Sequence, residues 1–171
     1  MPVWIRDAAA ADAGAIAAVH VASWRWAYAG ILAEDVIDSF SVEGREQMWL
    51  EWFDETEDRA ALLVAVQDGR VVGFAGVGLS RDVDGEPNTG EVRTLYLLEE
   101  VAGLGIGRSL FGEAVARLRS LGYDRAMLWV LRDGARARRF YEAAGWSSDG
   151  TTAEYSFGGP SRPIVRYATD L

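Results

Sequence analysis

Residues 101–110 read Val-Ala-Gly-Leu-Gly-Ile-Gly-Arg-Ser-Leu, with glycines at 103, 105 and 107. This spaced run follows an apolar, strand-like stretch and precedes a helix-like one, so it fixes the local fold tightly. Glycine leaves no Cβ to hold a bulky group away from the backbone. A helix that starts at such a loop offers its first, unpaired N–H groups to an anion. The pattern predicts a phosphate cradle between a strand and a helix.

The flanks define the unit. Glu91 to Leu98 alternates Val92, Thr94, Tyr96 and Leu98 against Glu91, Arg93, Leu95 and Leu97, which predicts a strand buried largely on both faces. Ile106 to Leu121 carries Leu110, Ala114, Val115 and Leu118 on one helical stripe, with Gly122 as its stop. Arg125 to Leu131 is a further strand. A strand–loop–helix–strand unit places its two strands in parallel.

The rest of the chain builds around that unit. Strands are expected at 3–6, 61–67, 71–79, 146–157 and 164–168, and helices at 8–29, 34–40, 41–53 and 135–144. Asp68-Gly69 is a two-residue hairpin signal between the second and third strands. Loops are expected at 54–59 and 80–90. The resulting order, β-α-α-α-β-β-β-α-β-α-β-β, predicts an α/β fold with a mixed sheet and helices on both faces. At 171 residues the chain is expected to be a single domain, spanning 1–171.

Composition excludes several chemistries. There is no Cys, hence no disulfide, thiolate zinc site or Cys nucleophile, and the single His20 rules out a multi-His metal site. No apolar run is long enough to span a membrane, and the N-terminus lacks a signal-peptide layout, so a cytoplasmic location is expected. The net charge of −9 argues against nucleic acid as partner. Residues 1–100 hold 7 Arg and 19 acidic residues, whereas residues 101–171 hold 10 Arg and 7 acidic residues. The cradle half is therefore the basic half, and the acidic half favours a cationic acceptor.

Two common phosphate loops do not fit. A triphosphate loop needs Gly-Lys-Ser/Thr, but Gly107 is followed by Arg108. A dinucleotide fingerprint needs Gly-x-Gly-x-x-Gly, and position 108 is again Arg. Three stretches together resemble the bacterial type of the GNAT superfamily of N-acetyltransferases. They are Glu91-Val92-Arg93-Thr94-Leu95-Tyr96-Leu97, the loop with Gly105 and Gly107, and Phe140-Tyr141-Glu142-Ala143-Ala144-Gly145-Trp146. Ser23-Trp24 and Tyr28-Ala29-Gly30-Ile31 are similar to many members as well. Two positions depart from the pattern: Ala102 stands where Gln or Arg is usual, and Gly134 where an Asn often contacts the cofactor's arm.

The resemblance implies a mostly antiparallel central sheet and an acetyl-CoA-dependent transfer to a primary amine of a small molecule or peptide, with no metal. It implies a pyrophosphate site at Gly103, Leu104, Gly105, Ile106, Gly107 and Arg108, and a pantetheine path along Leu95, Tyr96, Leu97 and Gly134. Leu95 N–H would polarise the acetyl carbonyl. Glu91 is the candidate general base, or else a solvated strand-start residue. An alkyl ammonium has a pKa near 10.4, so its deprotonation at pH 7 costs roughly 4–5 kcal/mol. Tyr141 is the candidate general acid for the departing thiolate, or else a core aromatic. His20, Trp24 and Tyr28 share one helix face at four-residue steps. Trp24 and Tyr28 are the candidate acceptor wall, or else ordinary packing. Trp26, Trp49 and Trp52 are expected in the core or on a dimer surface, a homodimer being one assembly the family adopts. Arg136, Arg138 and Arg139 form a basic cluster, for the 3′-phosphate or as a solvated helix face. A non-catalytic acyl-CoA-binding module of the same fold is the alternative to an enzyme.

Overall fold

The computed structural model describes residues 2–55, 57–82 and 86–171; positions 56 and 83–85, inside two of the expected loops, lie outside the described residues. Strands are β1 (Val3–Asp7), β2 (Ala61–Gln67), β3 (Arg70–Leu79), β4 (Thr89–Leu97), β5 (Arg125–Leu131), β6 (Ser147–Ser156) and β7 (Ser161–Asp170). Helices are α1 (Ala13–Ala27), α2 (Glu34–Asp38), α3 (Val42–Asp54), α4 (Ile106–Ser120) and α5 (Ala135–Ala143). The expected order of elements is observed.

Several boundaries moved for local reasons. The first helix does not begin at residue 8: Ala10–Asp12 is a 3-10 turn, and the Asp12 carboxylate accepts from the Ala9 N–H (2.8 Å) while pairing with Arg6 of β1 (2.8 Å). It closes early because the Ile31 and Leu32 N–H groups both turn back to the Tyr28 carbonyl. β7 is longer than 164–168, since β5 pairs with it over 164–170 and β6 over 161–168. The hairpin is as expected: Asp68 and Gly69 take φ of 51° and 77°, the left-handed pair that a tight β2–β3 turn demands.

The strands form one sheet in the order β1-β2-β3-β4-β5-β7-β6. All pairings are antiparallel except β4 with β5, which is parallel. That exception is short. β4 and β5 pair only over Thr89–Glu91 and Arg125–Met127, and then part. The sheet is thus two halves joined at one end, with a wedge-shaped gap at the other. For the same reason β4 is only half-buried from Arg93 to Leu97, not enclosed on both faces as its apolar run suggested.

Adjacent strand residues point to opposite faces. Tyr96 stacks on His20 of α1 (ring centroids 5.0 Å), while the Leu97 side chain lies against Gly107 of α4. Helix α1 therefore covers one face of β4 and α4 covers the other. The core between them is apolar, with Ile16, Val64, Phe74, Leu110, Leu118 and Leu128 all at 1% exposure or less. Each such side chain contributes about 1.5–3 kcal/mol on burial. This rigid packing holds the edges of the gap in place.

Candidate active site

The gap opens into a cleft of about 1580 Å³. Its floor is set by a bulge in β4. Gly76 faces Thr94 and Val77 faces Val92, so Arg93 is the extra residue. Arg93 is pinned there: its guanidinium holds both Glu57 oxygens (2.7 and 2.6 Å) and the Leu79 carbonyl (2.7 Å). Beyond the bulge, the Leu98 N–H donates to the Val72 carbonyl of β3 (2.9 Å). Backbone groups alternate sides along a strand. Thr94 and Tyr96 therefore bond toward β3, and the backbone N–H and C=O groups of Leu95 and Leu97 face the gap. Of the three β4 residues expected along the pantetheine path, Tyr96 turns its ring and not its backbone to the cleft.

The glycine loop lies at the gap's mouth. Gly103 and Gly105 take φ of 79° and 83°, and Gly105 caps α4 in the left-handed conformation. The N–H groups of Ile106, Gly107 and Arg108 open α4 and have no partner within the helix. A Cβ at Gly107 would come within 3.1 Å of Leu97 and 3.5 Å of Phe140, whereas nothing stands within 4 Å of one at Gly103 or Gly105. The loop thus has the open, donor-rich shape that a pyrophosphate fits. Neither larger apolar side chain of the loop enters the cleft: Leu104 is 65% exposed and Ile106 is in the core. Gly134 is buried and caps α5, with its N–H on the Leu131 carbonyl (3.0 Å).

Glu91 stands where β4 and β5 part, on the cleft wall. Its Oε2 accepts the Arg81 N–H (3.1 Å). Burial raises its carboxyl pKa, the Arg81 N–H and the Arg93 guanidinium pull it down, and the Asp82 carboxylate raises it. Asp82 was not singled out from sequence. It accepts from Trp129 Nε1 of β5 (3.0 Å) and from Arg166 of β7 (2.8 Å), and Arg166 also holds Asp149 (2.6 Å). This clamp ties residues 81–82 to the far half-sheet and so fixes the N–H that Glu91 accepts. A loop aspartate carries no periodicity or spacing to mark such a role.

Tyr141 projects from α5 into the same cleft, packed on Phe111 (5.4 Å) and Phe140 (5.2 Å). Burial, then the neighbouring Tyr96 phenol, raises its pKa, so it stays protonated. Tyr28 and Tyr96 are likewise raised, chiefly by burial. His20, Trp24 and Tyr28 do share one face of the first helix. Trp24 is buried, meets Tyr28 (4.8 Å), Phe40 (4.1 Å) and Phe157 (5.7 Å), and has an indole N–H without a hydrogen-bond partner among the described residues. Trp49, expected in the core, is indeed buried, yet it and Trp52 also border the cleft, and Trp49 Nε1 donates to His20 Nδ1 (3.3 Å). The basic cluster of α5 is divided. Arg136 lies over Trp26 (4.1 Å), and Arg138 bonds the Tyr167 hydroxyl (3.0 Å) and the Arg132 carbonyl (3.0 Å).

Among the described residues, no three His, Cys, Asp or Glu side chains are placed to hold a metal ion, and no helix is long and apolar enough to cross a membrane. Comparison with known proteins places the same features in context. The profile of the Acetyltransferase (GNAT) family matches residues 19–146. The uncharacterized N-acetyltransferase YuaI of Bacillus subtilis is 32% identical over 142 residues, covering 82% of this chain and 78% of that protein. A mycothiol acetyltransferase of Propionibacterium freudenreichii is 35% identical over 121 residues, which is 70% of this chain but only 37% of that longer protein. Among solved structures, the PaiA N-acetyltransferase of Thermoplasma acidophilum in complex with coenzyme A superposes with a TM-score of 0.78 at 25% identity, over 97% and 98% of the two chains. The chain belongs to the Acetyltransferase (GNAT) family.

Proposed function

We propose that residues 1–171 act as a single acetyltransferase domain that moves an acetyl group from acetyl-CoA to a primary amine of a small molecule or peptide. One observation carries this reading. The parting of β4 and β5 leaves the Leu95 and Leu97 backbone groups unpaired, between the glycine cradle on one side and Glu91 and Tyr141 on the other. Unpaired strand groups in a cleft are costly unless a ligand meets them. A pantetheine arm, with its two amides, is such a ligand. The relative from Thermoplasma acidophilum carries coenzyme A, which supports the choice.

The bound thioester supplies the acetyl group and a thiolate leaving group. Gly103, Gly105, Gly107 and Arg108 hold the pyrophosphate, with the amide of Ile106 adding a donor, while the Leu104 N–H is spent on the Val101 carbonyl. Leu95 N–H donates to the carbonyl oxygen, where negative charge develops on attack. Glu91 accepts the amine proton, directly or through one water. Tyr141, held protonated, returns a proton to the departing sulfur. Trp24 and Tyr28 wall the acceptor side. The Ala102 and Gly134 departures leave recognition to the backbone.

The test is thiol release from acetyl-CoA against an amine panel, paired with direct coenzyme A binding. Binding with amine-dependent thiol release supports the reading. Tight binding without release across a broad panel favours a non-catalytic acyl-CoA module.

A further inference from the structure

Arg45 of α3 lies on the acceptor side of the cleft and, unlike Arg93 of β4, meets no carboxylate among the described residues. Arg93 and Arg166 each meet carboxylates. Arg45 is half-buried and, among the described residues, has no carboxylate close enough to raise its pKa; burial lowers it. Its guanidinium lies over the Phe40 ring (4.0 Å), and one Nη1–H reaches Met48 Sδ (3.5 Å). A guanidinium has five N–H donors in a planar fork. A ring face and a thioether leave most of that fork unmatched. Buried charge is normally paired, so this cation lacks the counter-ion its position calls for.

Its neighbours show where that counter-ion would sit. Tyr96 feels the Arg45 charge, and Tyr96 in turn acts on Tyr141. Tyr96 thus neighbours both the unpaired cation and the transfer site. Tyr155 stands near Arg45 as well. Around them, Trp24, Phe40 and Phe157 form an apolar wall. We infer that Arg45 is an anion subsite for the acceptor, which is an amine carrying an oxyanion, a carboxylate or a phosphoryl group, on an apolar body. The planar fork suits either group in a bidentate pair. This inference rests on the acceptor-side reading of the cleft given above.

The experiment compares matched acceptors by thiol release: phenylalanine with phenylalaninamide, leucine with leucinamide, and O-phosphoethanolamine with ethanolamine. Wild type should favour the anionic member of a pair by about tenfold or more in kcat/KM. The carboxylate and phosphate pairs identify which source is used. Arg45→Gln should collapse that ratio toward one by raising the KM of the anionic member. Its KM for acetyl-CoA should move less than about threefold, and Arg45→Lys should restore part of the preference. Equal use of both members by wild type, or an equal loss on both in Arg45→Gln, overturns the subsite. If no acceptor releases thiol, the transfer reading fails, and a second measurement decides the subsite by itself. Tryptophan fluorescence is titrated with N-acetylphenylalanine and with its amide. Saturable quenching by the acid alone, lost in Arg45→Gln, upholds the subsite. No binding, or the same binding in the variant, overturns it.

Discussion

Replacing Glu91 by glutamine keeps an oxygen for the Arg81 N–H and removes only the proton acceptor. The structure sets the expected size of the loss. An alkyl ammonium near pKa 10.4 faces a carboxyl that burial has lifted above its ordinary range. Each unit of that lift narrows the mismatch by about 1.4 kcal/mol. A positioned base contributes about 10²–10⁴-fold, or roughly 3–5 kcal/mol. Glu91→Gln is therefore expected to lower kcat by about 10²-fold or more while leaving coenzyme A binding intact. The pH profile provides a second reading. Ionised Glu91 is the working form, so wild-type kcat/KM falls on the acid side through the raised value, and the variant should lose that limb. Stability separates this from unfolding. A carboxyl whose folded pKa is raised contributes stability below its unfolded pKa and loses it as pH rises through the folded value. At neutral pH ionised Glu91 is a cost, so the variant should melt no lower than wild type. Retention of more than about a third of kcat together with an unshifted acid limb refutes Glu91 as base.

Tyr141→Phe should lower kcat for amine acetylation with little change in coenzyme A binding, measured by titration calorimetry; unchanged turnover removes the phenol from the mechanism. Gly105→Ala places a Cβ at φ 83°, costing about 1–2 kcal/mol, and should weaken coenzyme A binding through the distorted cradle. His20 is buried with its pKa lowered to about 3, chiefly by desolvation and then by Arg45. The unfolded chain binds that proton first, so stability should fall as pH drops from about 6.5 toward 3, by about 5 kcal/mol at most. Urea midpoints across that range test this, and His20→Gln should flatten the slope. Asp82→Asn removes a charge that raises the Glu91 pKa and keeps an amide oxygen for the Trp129 N–H that holds residues 81–82, so the acid limb should move down toward the ordinary carboxylate range.

The elements were legible because their signals are local. Asp68-Gly69 demanded a tight turn, and the stripe of Leu110, Ala114, Val115 and Leu118 demanded a helix facing the core. The glycine loop before α4 was legible for the same reason, since Gly103 and Gly105 shape it through their own backbone. What escaped depends on pairing across the chain. The apolar run of β4 suggested full enclosure, but whether a strand is enclosed depends on its neighbour, and β5 leaves after three residues. Asp82 works only because Trp129 and Arg166, far along the chain, converge on it. Arg45 is one arginine among many until the fold denies it a carboxylate.

The bulge at Arg93 shows why the gap alone would not make a site. An extra residue in one strand shifts by one which backbone groups face each side. With it, Leu95 and Leu97 offer their N–H groups to the gap, and Tyr96 bonds to β3 while its ring lies on His20. Without it, Tyr96 would turn its N–H to the gap and its ring toward α4, away from the acceptor wall. One inserted residue therefore turns the Leu95 N–H, the proposed oxyanion donor, into the gap and the Tyr96 ring toward α1, the proposed acceptor side, at once. That residue is held by Glu57 and the Leu79 carbonyl. The register of β4 along the cleft is thus set by the ion pair of Arg93 with Glu57.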